Sequence, residues 1–350
     1  MLSGETANSS GCPWTLALGR HKNAIPPEIR RHIARLSTAD NWHSLVSIAT
    51  DWLVVAAAVA ATLAAGMNPW VYALAVVAIG SRQRALRSLI HEASHGKLFG
   101  SARLNDALGR LLVAFPLMTS MTAYRCAHCQ HHGHLWDPER DPKMARYAEQ
   151  GLIAPPDGSL ASFLRRHVAR PLLLAEMPFN IWAALSWKGA PLAETLGRYA
   201  YWAVAIAAIA WLGWLDEFVA FWLVPFCTTY QVFRYWSDMA DHAGLYSDNP
   251  WRSSRSWEGW ALTVQLLGPH AANYHFPHHL FPNVPHYRVR HVHRLLLQVP
   301  EYAGGHHCDG FFWPRRLSAP SVLQDVRRGE QTQTGQVPVI SKARAAMSVH

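Results

Sequence analysis

The sequence predicts an all-α integral membrane protein built from two hydrophobic hairpins, four transmembrane helices in all. Three observations predict it. Long apolar stretches come in two pairs, each pair joined by a short turn. Half of the 350 residues are hydrophobic and 16% are charged, yet the mean hydropathy is −0.03; apolar spans therefore alternate with very polar segments. The 16 tryptophans agree, because Trp favours the membrane–water interface.

Residues 1–40 form a polar N-terminal segment with Pro26-Pro27 and a basic run at Arg30, Arg31 and Arg35. They lack the apolar core of a cleavable signal peptide. The stretch LVSIATDWLVVAAAVAATLAA follows at 45–65. At about 1.5 Å per residue it spans a hydrocarbon core of about 30 Å. Asp51 is its one charge, close enough to the start to reach the interface. Gly66-Met67-Asn68-Pro69 is turn chemistry. PWVYALAVVAIG, 69–80, is shorter and runs into SRQRALRSLI. Arg82, Arg84 and Arg87 are expected to snorkel there, as one long helix leaves the membrane through a basic end. Basic residues flank both ends of this hairpin, so both ends, and His91 just beyond, are placed in the cytosol.

Residues 107–123 are expected to lie along or just inside the membrane. PLLLAEMPFNIWAALSW, 171–187, reads as an interfacial helix interrupted at Pro178. YAYWAVAIAAIAWLGWL (199–215) and FVAFWLVPFCTTYQVFRYW (218–236) flank a turn at Asp216-Glu217. This second hairpin returns the chain to the cytosol at Asp241-His242. From about residue 318 the chain is rich in Arg, Gln, Ser and Thr, and 318–350 is expected to be a disordered tail.

The formal charge is +9. Basicity suggests nucleic acid, but the basic residues are scattered and no nucleic-acid motif occurs. The charge is read instead as cytosolic loops and a docking surface for an acidic partner. Five cysteines without framework spacing are not expected to hold the fold by disulfides. Cys126-x-x-Cys129 has neither a second Cys pair for zinc nor a thioredoxin-like setting.

Histidines carry the chemistry. HEASH places His91 and His95 at i, i+4, about 40° apart on a helix. HCQHH places His128, His131 and His132 within an arc of about 100°, while His134 lies about 120° from His128. HFPHH repeats the spacing at His275, His278 and His279. Pro277 forbids a mid-helix position there but suits the first residue of a short helix, which Pro282 would soon end. Neutral imidazole ligates iron, copper and zinc. Eight clustered histidines, with His242 as a ninth, exceed what one zinc needs and suit two adjacent metals. The isolated His21, His32, His43, His167, His286, His291 and His293 are read as structural or solvent-exposed. Glu92 and Asp241 border box histidines and are placed to orient ring N–H groups. Asp137 and Asp141 are read equally as orienting groups and as caps of the DPERDP turn. Arg288, Arg290 and Arg294 read as a lipid-facing basic surface.

HxxxH, HxxHH and HxxHH, interleaved with two hydrophobic hairpins, resemble the membrane fatty acid desaturase superfamily. LIHEASHGKLFG, HHGHLWDPERDP and NYHFPHHLFPNVPHYRVRHVHRLL extend the resemblance, which runs from about residue 40 to 312. It implies a membrane domain over 41–317, with four spans under a cytosolic helical cap that holds two iron ions. By match, His91 and His95, His128, His131 and His132, and His275, His278 and His279 are the metal ligands, with His242 as the extra histidine. Asn273 is carried over as a residue holding a water on one iron. The implied chemistry is O2-dependent oxidation of an aliphatic C–H pair in a fatty acyl or lipid substrate. The sequence has neither an HPGG haem motif nor a cysteine set for an iron–sulfur cluster. A separate donor of the ferredoxin or cytochrome b5 type is therefore expected.

Desaturation of an acyl lipid is the leading reading. A hydroxylase or ketolase acting on a lipid, carotenoid, alkane or specialised acyl intermediate shares the same boxes. A histidine-rich membrane metal-binding or transport protein would place ionisable ligands within its spans, whereas these histidines follow the spans.

Overall fold

The computed structural model describes residues 22–153 and 158–332. It is helical throughout, with two short strands among the described residues, Arg255–Glu258 and His306–Asp309, paired in parallel.

The first apolar stretch forms the helix His43–Ala64, long and apolar enough to cross a membrane. No other helix among the described residues passes that test of length and composition. Its outward face exposes Leu45, Leu53 and Leu63. Gly66 and Met67, both at positive φ, turn the chain. Asn68 then caps the next helix, its Oδ1 accepting from the Trp70 N–H at 3.0 Å, with Pro69 at the first position. That helix runs unbroken from Pro69 to Ser94, so the apolar stretch and its basic extension are one element, as expected.

Its charges behave differently from expectation. Asp51 is buried rather than interfacial, 3.0 Å from Arg82 Nη1 and 2.7 Å from His270 Nε2. Arg82 and Arg84 are buried too. Arg84 donates from Nη1 to Ser88 at 2.6 Å and from Nη2 to Ser237. The polar half of this helix faces other helices, so Arg82 is held by Asp51 and the Gln265 carbonyl and Arg84 by serine hydroxyls, and neither reaches an interface.

In the second hairpin, Leu192–Trp211 is a 20-residue helix whose outer face exposes Leu196, Val204, Ile206 and Trp211. The fourth expected span is not one helix. It passes through Leu215–Phe218, a wide π-type turn at Val219–Leu223 and a short Val224–Cys227 segment, then restarts as Thr229–His242. Pro225 has no N–H to give to the preceding turn. Thr228 leaves helical geometry, and its hydroxyl donates to the Val224 carbonyl at 2.6 Å. Here the chain meets Gly80: a Cβ on Gly80 would lie 2.0 Å from Thr229 Oγ1 and 2.8 Å from the Tyr230 nitrogen. Residues 107–123 are likewise broken into short helical pieces, with Pro116 in the last of them.

Three apolar clusters hold the molecule. One lies between the long helices, around Ile79, Leu86, Leu89 and Phe99. A second packs the cap around Tyr235, Met239, Phe311 and Val326. A third supports the last histidine box, around Phe276, Leu280, Val292 and Tyr302. Val326 belongs to a helix, Val322–Thr332, where a disordered tail was expected. The segment is amphipathic: Val322 and Val326 are buried, and Glu330 is 3.0 Å from Arg166 Nη1 and 2.7 Å from His167 Nε2. Residues 333–350 lie outside the described residues. Of the CxxC pair, Cys126 is an exposed free thiol and Cys129 is in a disulfide, so the two are not bonded to each other.

Candidate metal centre

Each histidine box is presented by the end of a helix. His91 is in the last turn of Pro69–Ser94, and His95 is its C-cap. Met121–His134, capped by Ser120 Oγ on the Ala123 N–H at 3.2 Å, carries His128, His131 and His132. Thr229–His242 ends on His242. The third box is the short helix His275–Leu280. It starts two residues before Pro277, so the proline sits in the first turn, where a backbone N–H has no intrahelical partner.

These ends converge into two groups. His91, His95, His128, His132 and His278 form one, and His131, His242, His275 and His279 form the other. Within each group the ligand nitrogens lie within 4.8 Å of one another. In the first, the Nε2 atoms of His95 and His128 are 3.0 Å apart, those of His128 and His132 3.0 Å, and those of His132 and His278 3.2 Å. In the second, His242 Nε2 is 3.2 Å from His131 Nε2 and 2.9 Å from His275 Nε2. Two nitrogens at right angles on one metal, each about 2.1 Å from it, stand about 3.0 Å apart. The spacing is that of ligand shells.

The division follows helical geometry. His128 and His132, one turn apart, face the first group, while His131 is rotated towards the second. The third box does the reverse: His275 and His279 serve the second group and His278 the first.

The residues present fit metals of the imidazole-binding kind. The Nε2 atoms of His91 and His279 are buried with no hydrogen-bond partner among the described residues, a costly state unless a cation takes the lone pair. Burial first, and neighbouring charges second, hold His95, His128, His131, His132, His242, His275, His278 and His279 well below the usual imidazole range. They are therefore neutral, as ligands must be. Ring orientation is fixed from behind. His131 Nδ1 donates to Asp141 at 3.0 Å, and His242 Nδ1 to the Ser253 carbonyl at 2.9 Å. Each leaves Nε2 free for a metal.

The flanking polar residues divide clearly. Asp241 lies 3.7 Å from His275 Nδ1. Glu92 lies 3.8 Å from His91 Nδ1 and accepts the His286 backbone N–H at 2.8 Å. Asp141 both caps the next helix, accepting the Lys143 N–H at 2.9 Å, and holds His131; burial pushes its carboxyl up to about 6. Asp137 is outside both groups, its carboxylate taken by Arg140 Nε at 2.6 Å and the Glu139 N–H. Asn273 donates to the Trp257 carbonyl at 2.7 Å, which ties the third box to the Arg255–Glu258 strand. The Ser253 carbonyl carries no side-chain signal that sequence reasoning could have used.

A cleft opens beside the groups. Its cavity volume is about 100 Å³, it is partly open to solvent, and His91, His128, His275 and His278 line it. The two histidine groups beside a cleft are compatible with the metal site of a desaturase-like oxidoreductase. The chain belongs to the fatty acid desaturase family: the family description "Fatty acid desaturase" matches residues 67–311. It is 30% identical over 329 residues to dihydrorhizobitoxine desaturase of Bradyrhizobium elkanii, covering 90% of this chain and 92% of that one. It is 26% identical over 303 residues to a chloroplastic omega-3 fatty acid desaturase of Brassica napus, covering 76% and 72%. A Synechocystis sn-1 acyl-lipid omega-3 desaturase (ferredoxin) is 26% identical over 217 residues, covering 57% and 60%.

Proposed function

We propose that this chain is a membrane-embedded, O2-dependent di-iron desaturase. Net, the reaction converts –CH2–CH2– to –CH=CH–. The substrate gives two electrons and two protons, a donor gives two more electrons, two further protons come from solvent, and one O2 leaves as two waters. One observation carries the reading: nine neutral imidazoles, eight of them buried, sort into a five and a four with ligand spacing. The first iron would be held by His91, His95, His128, His132 and His278, and the second by His131, His242, His275 and His279. Bound there, the iron pair supplies the oxidising power that O2 lacks towards an aliphatic C–H bond. The protein's own residues do the rest. Asp141 and the Ser253 carbonyl fix imidazole tautomers, Asp241 and Glu92 back His275 and His91, and the cleft presents two adjacent carbons to the rings lining it.

The membrane setting is supported by the His43–Ala64 helix and by the exposed apolar faces of both hairpins. Trp70 at the first hairpin turn, and Trp211 and Trp214 at the second, are exposed as interfacial tryptophans would be. On this reading the polar half of Pro69–Ser94 and the histidine cap lie on the cytosolic side. Relatives named as ferredoxin-type enzymes support a small, separate electron donor. The names of the relatives divide on substrate, most citing omega-3 fatty acids or acyl lipids and one dihydrorhizobitoxine.

The test is expression of the full chain with a competent donor, metal analysis, and mass spectrometry of lipids and small metabolites. A product two hydrogens lighter that depends on O2, with two irons per chain, is the expected outcome. Oxygen gain without hydrogen loss would make it a hydroxylase, and the absence of bound iron would overturn the reading.

A further inference from the structure

The cleft beside the histidine groups is charged, not apolar. Arg84, Arg87, Lys143, Arg234, Asp238 and Asp241 all line it, together with the histidines. Few of these charges are in direct ion pairs, although Arg84 and Lys143 attract Asp238 and Asp241 across the cleft and Arg87 leans on Tyr230 and Tyr124. Among the described residues Arg87, Lys143, Arg234 and Asp238 make no ion pair, and Asp241 has only the His275 ring at 3.7 Å. Arg84 is 7% exposed and meets serine hydroxyls in place of a carboxylate; its Nε has no hydrogen-bond partner among the described residues. The contrast with Arg146 is direct. That residue lines the same cleft but is neutralised by Glu149 and Glu176 and lies flat over Phe179.

Charges of both signs that face one cavity without closing into direct ion pairs are complementary to a ligand that carries both signs. A fatty acyl chain in this space would strip water from six charged side chains and return no hydrogen bond. A carboxylate offers two acceptor oxygens, which a guanidinium matches with two parallel donors. Arg84 and Arg87 come from Pro69–Ser94, and Arg234 from Thr229–His242, so they face the cleft from two helices. Asp238 and Asp241 are one turn apart on Thr229–His242, next to His242 and within reach of His275. An ammonium held there lies beside His275, the ring of the second group that lines the cleft.

We propose that the cleft takes a compact zwitterion, an aliphatic molecule bearing both a carboxylate and an ammonium group, in preference to a fatty acyl chain. The arginines hold the anionic end and Asp238 with Asp241 the cationic end. This inference rests on the reading of the histidine centre as the reacting site.

The experiment is calorimetric binding to the iron-loaded full chain in lipid nanodiscs. The probes are L-norleucine, hexanoic acid, hexylamine and vesicles of stearoyl phosphatidylcholine. Norleucine is expected to bind at least about tenfold more tightly than either singly charged probe, because each missing charge leaves a buried partner unpaired. Arg234→Gln and Asp238→Asn are each expected to weaken norleucine about tenfold or more. Arg234→Lys retains part of the affinity, and its melting temperature, measured beside the others, separates binding from folding. Tight lipid binding with no norleucine binding would overturn the inference, as would unchanged norleucine affinity in both charge-removing variants. Oxygen-dependent desaturation of the lipid with no zwitterion binding would sink this inference and leave the desaturase reading intact. Norleucine binding with no loss of hydrogen from any probe would support this inference and count against that reading.

Discussion

Two of the imidazoles, His131 and His242, are gripped on their far side by hydrogen bonds. Asp141 is the clearest case: it accepts from His131 and from two backbone N–H groups. Asp141→Asn keeps the shape but removes the charge that makes the ring a strong ligand. Metal affinity at the second site should fall about 10- to 100-fold, read by iron titration, with the first site little changed. His279→Ala should empty the second site and His278→Ala the first, each abolishing turnover; retained iron and activity in either variant would remove that residue from its group. Eight of the histidines were legible in the sequence because H-x-x-x-H and H-x-x-H-H are local spacings; His242 came only from the family resemblance. The sorting of all nine into a five and a four was not, because it depends on how four helix ends meet. Asp137 and Asp141 looked alike in DPERDP. Only the fold shows that Arg140 folds back on the first and His131 reaches the second.

Helices meet closely where the sequence places glycine. At Gly80 a side chain would collide with Thr229 and with the Tyr230 backbone nitrogen. Gly80→Ala should therefore cost about 1–3 kcal/mol, seen as a lower melting temperature. The first hairpin was readable from apolar length and from the Asn68-Pro69 cap signal. The fourth span was not, since an uninterrupted apolar run hides the break that Pro225 and Thr228 impose. Residues 322–332 also escaped a compositional reading, because their polar average conceals two buried valines one turn apart. Glu330, held below the usual carboxylate range by His167 and Arg166 despite its burial, makes this helix pH-sensitive. A carboxyl depressed in the folded state stabilises above its ordinary value of 4.5 and loses that contribution as pH falls below it. The Val322–Thr332 helix should then become protease-accessible below about pH 4.5 before the rest of the chain does, and Glu330→Gln should abolish the difference.

At the scale of the whole molecule, apolar faces and a basic formal charge of +9 act on different partners. On the proposed function the faces would meet lipid and the charge an electron donor. With an acidic donor, turnover should fall as ionic strength rises, while turnover driven by a small neutral reductant should not. Equal salt dependence in the two assays would remove the electrostatic docking. The first hairpin and the histidine boxes were legible from composition and spacing. The cleft was not, since its charges come from three separated segments, around Arg84, Lys143 and Arg234.

The second and third boxes each send rings to both groups. Occupation of one position immobilises two helix ends that also frame the other, so the ordering cost of the second ion is largely met by the first. Iron should therefore load in pairs, with singly filled molecules scarce at every stage of a titration. Iron starvation would then produce a mixture of complete and empty enzymes, with few half-built ones between them.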